Sequence, residues 1–100
     1  MKPSDLIERG WCRVSRARDA EGHPCDPLSS QAVSWCPLGA LEVVYGSGTL
    51  EFYAAALKLT GTIPDSEYAR ASIIFYICRW ADHPARQQHE IVAAMRQVGL

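Results

Sequence analysis

The sequence predicts an all-α single domain of four to five short helices packed around a central apolar helix over residues 31–46. The stretch 31–46 supports this prediction because Gln31, Ser34 and Glu42 are its only polar side chains. A helix that is apolar nearly all round must be buried on nearly all sides. Elsewhere apolar residues recur at helical spacing, and the one strand-like run, 73–77, has no second strand to pair with.

Composition and charge are those of an ordinary small globular domain. The 100 residues suffice for one modest core, 48% of them are hydrophobic, and the net charge is −1. This balance excludes a strong basic field that would hold nucleic acid. The N-terminus lacks the apolar core of a signal peptide, and no apolar run reaches the length of a membrane span. We therefore expect the protein in the cytoplasm.

The four cysteines are too few for a disulfide scaffold, and none forms a Cys-x-x-Cys pair. They are Cys12, Cys25, Cys36 and Cys78. In a reducing compartment we expect free thiols that mostly behave as small hydrophobic side chains. We expect no metal and no cofactor.

The first predicted element is a short helix over residues 3–9. Ser4 or Asp5 can accept hydrogen bonds from the free amides of its first turn, and Gly10 favours its end.

Residues 13–29 are predicted to form a long surface loop. Charged residues, glycine and proline dominate this segment, and it has little to bury. Ordered loops of this length in small domains are often functional. The loop is therefore the first surface to suspect of a function.

Pro37 interrupts the central helix. A proline inside a helix removes a backbone donor and clashes with the preceding turn. The helix therefore either kinks there or divides into two pieces, about 30–36 and 37–45, with Ser29 or Ser30 as its N-cap.

Three further helices complete the predicted domain, over about 50–59, 65–81 and 84–98. Thr49 is the expected cap of the first of them. Its apolar residues at helical spacing are Leu50, Tyr53, Ala54 and Leu57. The stripe of the last helix consists of Ile91, Val92, Met95 and Val98.

The segment His23-Pro24-Cys25-Asp26 is the richest in catalytic residue types. A zinc site needs four ligands, usually in two pairs, and no second pair exists. A cysteine nucleophile needs a positioned histidine, which only the fold could supply from His83 or His89. We therefore expect that the protein is not an enzyme, and we assign no catalytic residue. A small enzyme that depends on a cysteine and a histidine stays an alternative.

Two sets of charged residues give other interpretations. The segment Arg9–Arg18 interleaves arginines with Trp11, as nucleic-acid grooves do, so a nucleic-acid-binding regulator is a second alternative. Neighbouring acidic residues neutralise this segment, which favours a solvated surface. An acidic helical face is another candidate contact surface. Its members are Glu51, Asp65, Glu67, Asp82 and Glu90.

Four pieces of the sequence together resemble one protein family. They are Gly10-Trp11-Cys12, Ala17-Arg18-Asp19-Ala20-Glu21-Gly22, Trp35-Cys36 with Leu38-Gly39-Ala40-Leu41, and Trp80-x-Asp82-x-Pro84. The pattern is similar to a domain family of unknown function found in actinobacteria, other bacteria and their phages. That family has no established catalytic residues, so it lends no site. The chain departs from its usual pattern at Pro37 and at Ala81, where asparagine is common.

The N-terminal stretch 1–12 also resembles phage-borne anti-CRISPR proteins that inhibit type I-F surveillance complexes. This resemblance implies a non-enzymatic inhibitor in the bacterial host cytoplasm that stops the crRNA-guided complex from binding target DNA. Such a complex holds nucleic acid in basic grooves, where acidic side chains can compete. The implied partners are subunits of the type I-F CRISPR surveillance (Cascade/Csy) complex, with no direct nucleic-acid or membrane contact. The oligomeric state stays open.

We place the predicted contact with that complex in the loop 13–29. The predicted contact residues are Arg16, Arg18, Asp19, Glu21 and Asp26. The carboxylates suit basic grooves, and the arginines can donate hydrogen bonds to the partner.

Overall fold

Five α-helices and one two-stranded sheet form the part of the chain that a computed structural model describes, residues 1–63 and 72–100. In chain order they are α1 (Pro3–Arg9), β1 (Ala17–Arg18), β2 (Ser34–Trp35), α2 (Pro37–Tyr45), α3 (Leu50–Thr60), α4 (Ile73–Ala81) and α5 (Gln88–Gln97). The prediction of a mostly helical domain is confirmed. The prediction of an all-α fold is wrong because two short strands pair inside the region expected to be loop and helix.

The N-terminal helix forms as predicted. Asp5 accepts a hydrogen bond on Oδ2 from the backbone N of Lys2 at 2.8 Å, and Gly10 is the C-cap. Leu6 and Ile7 are buried, so packing against the rest of the core stabilises this short helix.

The central helix is shorter than the predicted 31–46. Residues 31–36 are not helical, and they lead through β2 into α2 at Pro37. The N-cap is Cys36, whose Sγ accepts from the backbone N of Gly39 at 3.4 Å, so the prediction of a serine cap is wrong. Proline occupies the first helical position, where its missing N–H costs nothing. The second predicted piece, 37–45, is confirmed, and it packs against α1, α3, α4 and β2.

A small sheet orders the predicted surface loop. β1 pairs antiparallel with β2, with Ala17 opposite Trp35. Single bridges add Trp11 beside Trp35 and Pro24 beside Arg18. Four chain segments therefore lie side by side, and their backbone hydrogen bonds fix the loop to the residues that precede α2.

Helix α3 begins after Thr49, as predicted, and Oγ1 of Thr49 accepts from the backbone N of Phe52 at 3.1 Å. The core-facing side of α3 differs from the apolar face in the sequence pattern. Leu50 and Leu57 are exposed. The side chains that reach the core are Phe52, Ala55, Ala56 and Leu59.

The last two helices are shorter than predicted. The helix expected over 65–81 begins at Ile73, because Ser72 is extended and caps it by accepting from the backbone N of Phe75 at 3.1 Å. Residues 65–71 of that prediction lie outside the described residues. The helix expected over 84–98 begins only at Gln88. Its apolar stripe is confirmed, because Ile91, Val92 and Met95 are buried and Val98 packs against the core.

The two ends of the chain meet beside α1 and α5, which pack against each other. The backbone N and the Oγ of Ser4 both donate to the carbonyl oxygen of Leu100, at 3.0 and 2.8 Å. Gly99 has φ 82, which lets the chain turn so that the Leu100 side chain enters the core. In the two described ranges, no helix is long and apolar enough to cross a membrane.

Candidate functional site

The loop surface, which we define as residues 13–33, is held by hydrogen bonds along its whole length. The backbone N of Val33 donates to the oxygen of Arg18 at 2.9 Å, and that of Cys25 donates to Ala17 at 3.0 Å. The indole N–H of Trp35 donates to the oxygen of Pro27 at 3.1 Å. These bonds fix the shape that the loop presents outward.

Two of the predicted contact residues shape the loop itself. Oδ1 of Asp19 accepts from the backbone N of Glu21 at 3.0 Å and of His23 at 2.9 Å. Oδ1 of Asp26 accepts from the backbone N of Leu28 at 2.8 Å. Both carboxylates form turns of the kind that Asp side chains favour. Each therefore has a structural role besides any role in binding.

The two predicted arginines also have partners within the chain. Arg16 forms an ion pair with Glu42 of α2, whose side chain is buried. Arg18 donates to the carbonyl oxygens of Gly22 at 2.8 Å and Arg13 at 3.3 Å. Removing Arg16 would leave the Glu42 carboxylate buried without its countercharge, which is costly.

Glu21 is a predicted contact residue with a highly exposed side chain, at 79%. Its Oε2 lies 3.6 Å from Nδ1 of His23, which is also exposed. A pair of this kind on the surface adds little stability. Glu21 can therefore contact a partner without breaking an interaction that the fold needs.

The sequence analysis missed three exposed apolar side chains on the loop surface. Val14 is 81% exposed, Leu28 65% and Val33 49%. Leu28 follows a proline in a polar segment, which is a signal for exposure. The exposure of Val14 has no such signal, because it depends on a backbone conformation that valine rarely adopts.

Val14 has φ 74, in the left-handed region that a β-branched residue avoids. Its backbone N donates to Oδ1 of Asp82 at 3.0 Å. The neighbouring Arg13 guanidinium lies 4.2 Å from the Trp11 ring centre and donates to the backbone oxygen of Arg86. Through its hydrogen bond with Val14, Asp82 connects the end of α4 to the loop surface.

A cleft of about 100 Å³ lies beneath Val14. Cys36, Cys78 and Asp82 are among its lining residues. Burial raises the pKa of the Cys36 thiol to about 12 and that of Cys78 above its ordinary value. Ligand sites usually have volumes of about 300 to 1,000 Å³, so this cleft is small for a substrate. Its thiols are neutral at physiological pH.

A wider groove of about 520 Å³ lies between α1 and α5. Glu8 and Arg96, which line it, form an ion pair with each other, and Gln88 donates to the backbone oxygen of Ile7 at 2.7 Å. His89 also lines the groove. The polar groups along this groove are thus largely satisfied by one another.

The geometry does not favour a cysteine nucleophile at position 25. Burial raises the pKa of Cys25, and the carboxylates of Asp19 and Asp26 raise it further. A nucleophilic thiol needs a lowered pKa. Nδ1 of His83 accepts from the backbone N of Ala85 at 3.0 Å and is occupied by its own turn. Within residues 1–63 and 72–100, no group of three metal-ligating side chains converges.

Three of the four arginines in the segment Arg9–Arg18 have partners within this chain. Arg13, Arg16 and Arg18 each bind groups of this chain, as described above.

Of the acidic helical face, Asp65 and Glu67 lie outside the described residues. Glu90 accepts on Oε1 from the backbone N of Gln87 at 2.8 Å, where it helps to begin α5.

A family model matches almost the whole chain, residues 4–99. The chain belongs to the family of unknown function DUF6197. No curated protein and no solved structure matches it. The resemblance to a family of unknown function is thus confirmed, and the function of this DUF6197 domain has to be argued from its surfaces.

Proposed function

We propose that this DUF6197 domain is a non-enzymatic inhibitor that docks through its loop surface on the type I-F CRISPR surveillance complex and blocks target DNA binding. The observation that carries the docking part is the exposure of Val14, Leu28 and Val33 on a loop whose backbone is fixed by hydrogen bonds. Protein-binding surfaces combine a few apolar anchors with a polar rim.

The loop surface meets two requirements of a docking surface. Apolar side chains and the exposed carboxylates of Glu21 and Asp26 lie on the same ordered segment. Because turns and sheet bonds already hold the loop, little conformational entropy is lost when a partner binds. The strained backbone of Val14 adds to this argument, since strain of this kind gathers at functional sites.

The choice of partner rests on the resemblance of the N-terminal stretch to anti-CRISPR proteins and on charge. A surveillance complex holds its heteroduplex in a positively charged channel. The carboxylates of Glu21 and Asp26 are complementary to such a surface, although the whole chain has a net charge of only −1.

The test is a gel shift of labelled target DNA with purified type I-F complex, with and without the protein. We expect the protein to abolish the band of the complex with DNA and to leave free DNA unshifted in a lane without complex. If the complex still binds DNA and cleavage proceeds, the inhibitor proposal is wrong. A shift of free DNA, steep in salt, would instead support the nucleic-acid-binding alternative.

A matched pair of variants tests the loop surface. Leu28→Glu should weaken inhibition about tenfold or more, because it places a charge among the apolar anchors of the interface. Phe75→Glu changes an apolar side chain that is 47% exposed on α4, and we expect inhibition to stay unchanged. Thermal melting of both variants checks the fold. Equal inhibition by the two variants would remove the loop surface from the proposal.

A further inference from the structure

The outer face of α3 is the most exposed row of large apolar side chains on one described helix. Leu50 is 86% exposed, Leu57 60% and Tyr53 48%, and Ala54 between them is exposed as well. These residues follow the spacing i, i+3, i+4 and i+7, so they form one continuous stripe. Lone exposed apolar residues are ordinary, but a continuous stripe marks an interaction surface.

We propose that this stripe binds the same stripe of a second copy of the chain, with the two α3 helices antiparallel. Two features of α3 select this occupant. The stripe is self-complementary in shape, and the two charged residues at its edge are complementary to each other across a twofold axis.

The shape argument follows from the order of residues along the stripe. A twofold axis between Tyr53 and Ala54 places Leu50 opposite Leu57 of the second copy. The same axis places the large Tyr53 ring opposite the small Ala54 of the second copy. The Tyr53 ring lies edge-to-face against Phe52, with centroids 5.3 Å apart, and this contact orients it before any partner arrives.

The charge argument concerns Glu51 and Lys58, which are both exposed. Neither forms an ion pair with another of the described residues. They lie seven positions apart, and so on the same side of the helix. In the antiparallel arrangement Glu51 comes within about 3 Å, along the helix axis, of Lys58 of the second copy. Two symmetric ion pairs then form, and an isologous twofold contact requires such reciprocity.

The expected dimer is weak. One helix of 11 residues offers a small contact area, below that of a standard stable interface. Sedimentation velocity from about 10 µM to about 1 mM should show the mass rise from monomer toward dimer. A monomer over this whole range would overturn the proposal.

Two substitutions place the contact on α3. Leu57→Glu should weaken dimerisation about tenfold or more, because the dimer would bury an unpaired charge. Leu50→Glu, at the other end of the stripe, should do the same. Leu28→Glu is the matched control, because Leu28 is a leucine of similar exposure, 65%, on the loop surface. If Leu28→Glu weakens the dimer as much as Leu57→Glu, the interface is not on α3.

A charge exchange tests the antiparallel orientation. Glu51→Lys or Lys58→Glu alone should weaken dimerisation, because like charges then face each other across the axis. The double variant restores both pairs and should recover the original affinity. A double variant that is no better than the single ones would overturn the proposed arrangement. Since the readout is mass, these results do not depend on inhibition of the surveillance complex.

Discussion

Val14 carries the clearest backbone strain among the described residues. A left-handed conformation costs an L-residue about 1–2 kcal/mol, and glycine adopts it freely. Glycine in turn loses more entropy on folding, about 0.5–1 kcal/mol. We therefore predict that Val14→Gly raises the free energy of unfolding by about 0.5–1 kcal/mol, measured by urea denaturation.

Val33→Gly is the control for this prediction. Val33 is exposed like Val14, but its φ is not positive and its N–H belongs to the sheet region. The Val33→Gly substitution should lower the free energy of unfolding by about 0.5–1 kcal/mol. If Val14→Gly is destabilised as much as this control, the strain is not real. A stabilised Val14→Gly that inhibits less well would agree with Val14 as one of the apolar anchors of the docking surface.

The buried Cys36 thiol should lower the free energy of unfolding as the pH becomes alkaline. Its pKa is about 12 in the folded state, because burial disfavours the thiolate, and lower in the unfolded chain. A raised folded pKa gives stability that is fully present below the unfolded value and is lost as the pH rises toward 12. Between pH 8.5 and 10.5 this thiol should account for a loss of about 2 kcal/mol.

Urea denaturation at several pH values between these limits measures the loss. The Cys36→Ala variant should lose less stability over the same range, by about 2 kcal/mol, although it starts from a lower value. If both proteins have the same pH dependence, the Cys36 thiol ionises normally in the folded state and its burial has been misjudged.

At the scale of the elements, Gly39 sets how closely α2 approaches the loop surface. A Cβ at this position would lie 2.0 Å from the backbone oxygen of Arg16. We predict that Gly39→Ala lowers the free energy of unfolding by about 2 kcal/mol or more, because backbone must move. Gly61→Ala is the control: its Cβ would lie 3.3 Å from the Lys58 oxygen, and we expect a change of about 0.5 kcal/mol either way. Similar losses in the two variants would contradict the close approach.

The sequence was sufficient to predict the elements whose signals are local. Pro37 marks the true start of α2, and Thr49 the start of α3. The extended residues 31–36 were predicted as helix because their strand partner, β1, is two residues long and lies in a segment without periodicity. No local signal reveals a partner of that length.

Helix α3 shows a second limit of sequence patterns. Its apolar residues form two stripes, and the one with the more prominent large side chains, Leu50, Tyr53 and Leu57, is exposed. The buried stripe contains Ala55 and Ala56, which let neighbouring helices come close. Which stripe faces the core depends on how α3 packs against α2 and α4, and the sequence of α3 does not contain that information.

At the scale of the whole molecule, the predicted loop 13–29 is irregular apart from the two residues of β1, and its predicted contact residues differ in how strongly the chain itself binds them. Glu21 is exposed as expected, whereas Asp19 and Arg18 are bound to the loop backbone. From the sequence alone, a short polar side chain in a turn can equally well contact a partner or bind the backbone of its own loop. The exposure of Val14 could not be predicted from the sequence, because it depends on a contact with Asp82, which is distant in the sequence.

Leu100 links the end of the chain to the whole core. The side chain is 3% exposed, and its carbonyl oxygen accepts two hydrogen bonds from Ser4. We predict that Leu100→Ala lowers the free energy of unfolding by about 2–4 kcal/mol, measured by urea denaturation. Leu50→Ala removes a leucine that is 86% exposed and should change it by no more than about 0.5 kcal/mol. Equal effects would mean that the C-terminal residue is not held in the core.

The meeting of α1 with α5 and Leu100 has a consequence for biosynthesis. Helix α1 is synthesised before α5, and Ser4 of α1 binds Leu100, which lies 96 positions further along the chain. During translation the apolar side of α1 stays open to chaperones. The contacts of α1 with α5 and with Leu100 can therefore close only after both have left the exit tunnel.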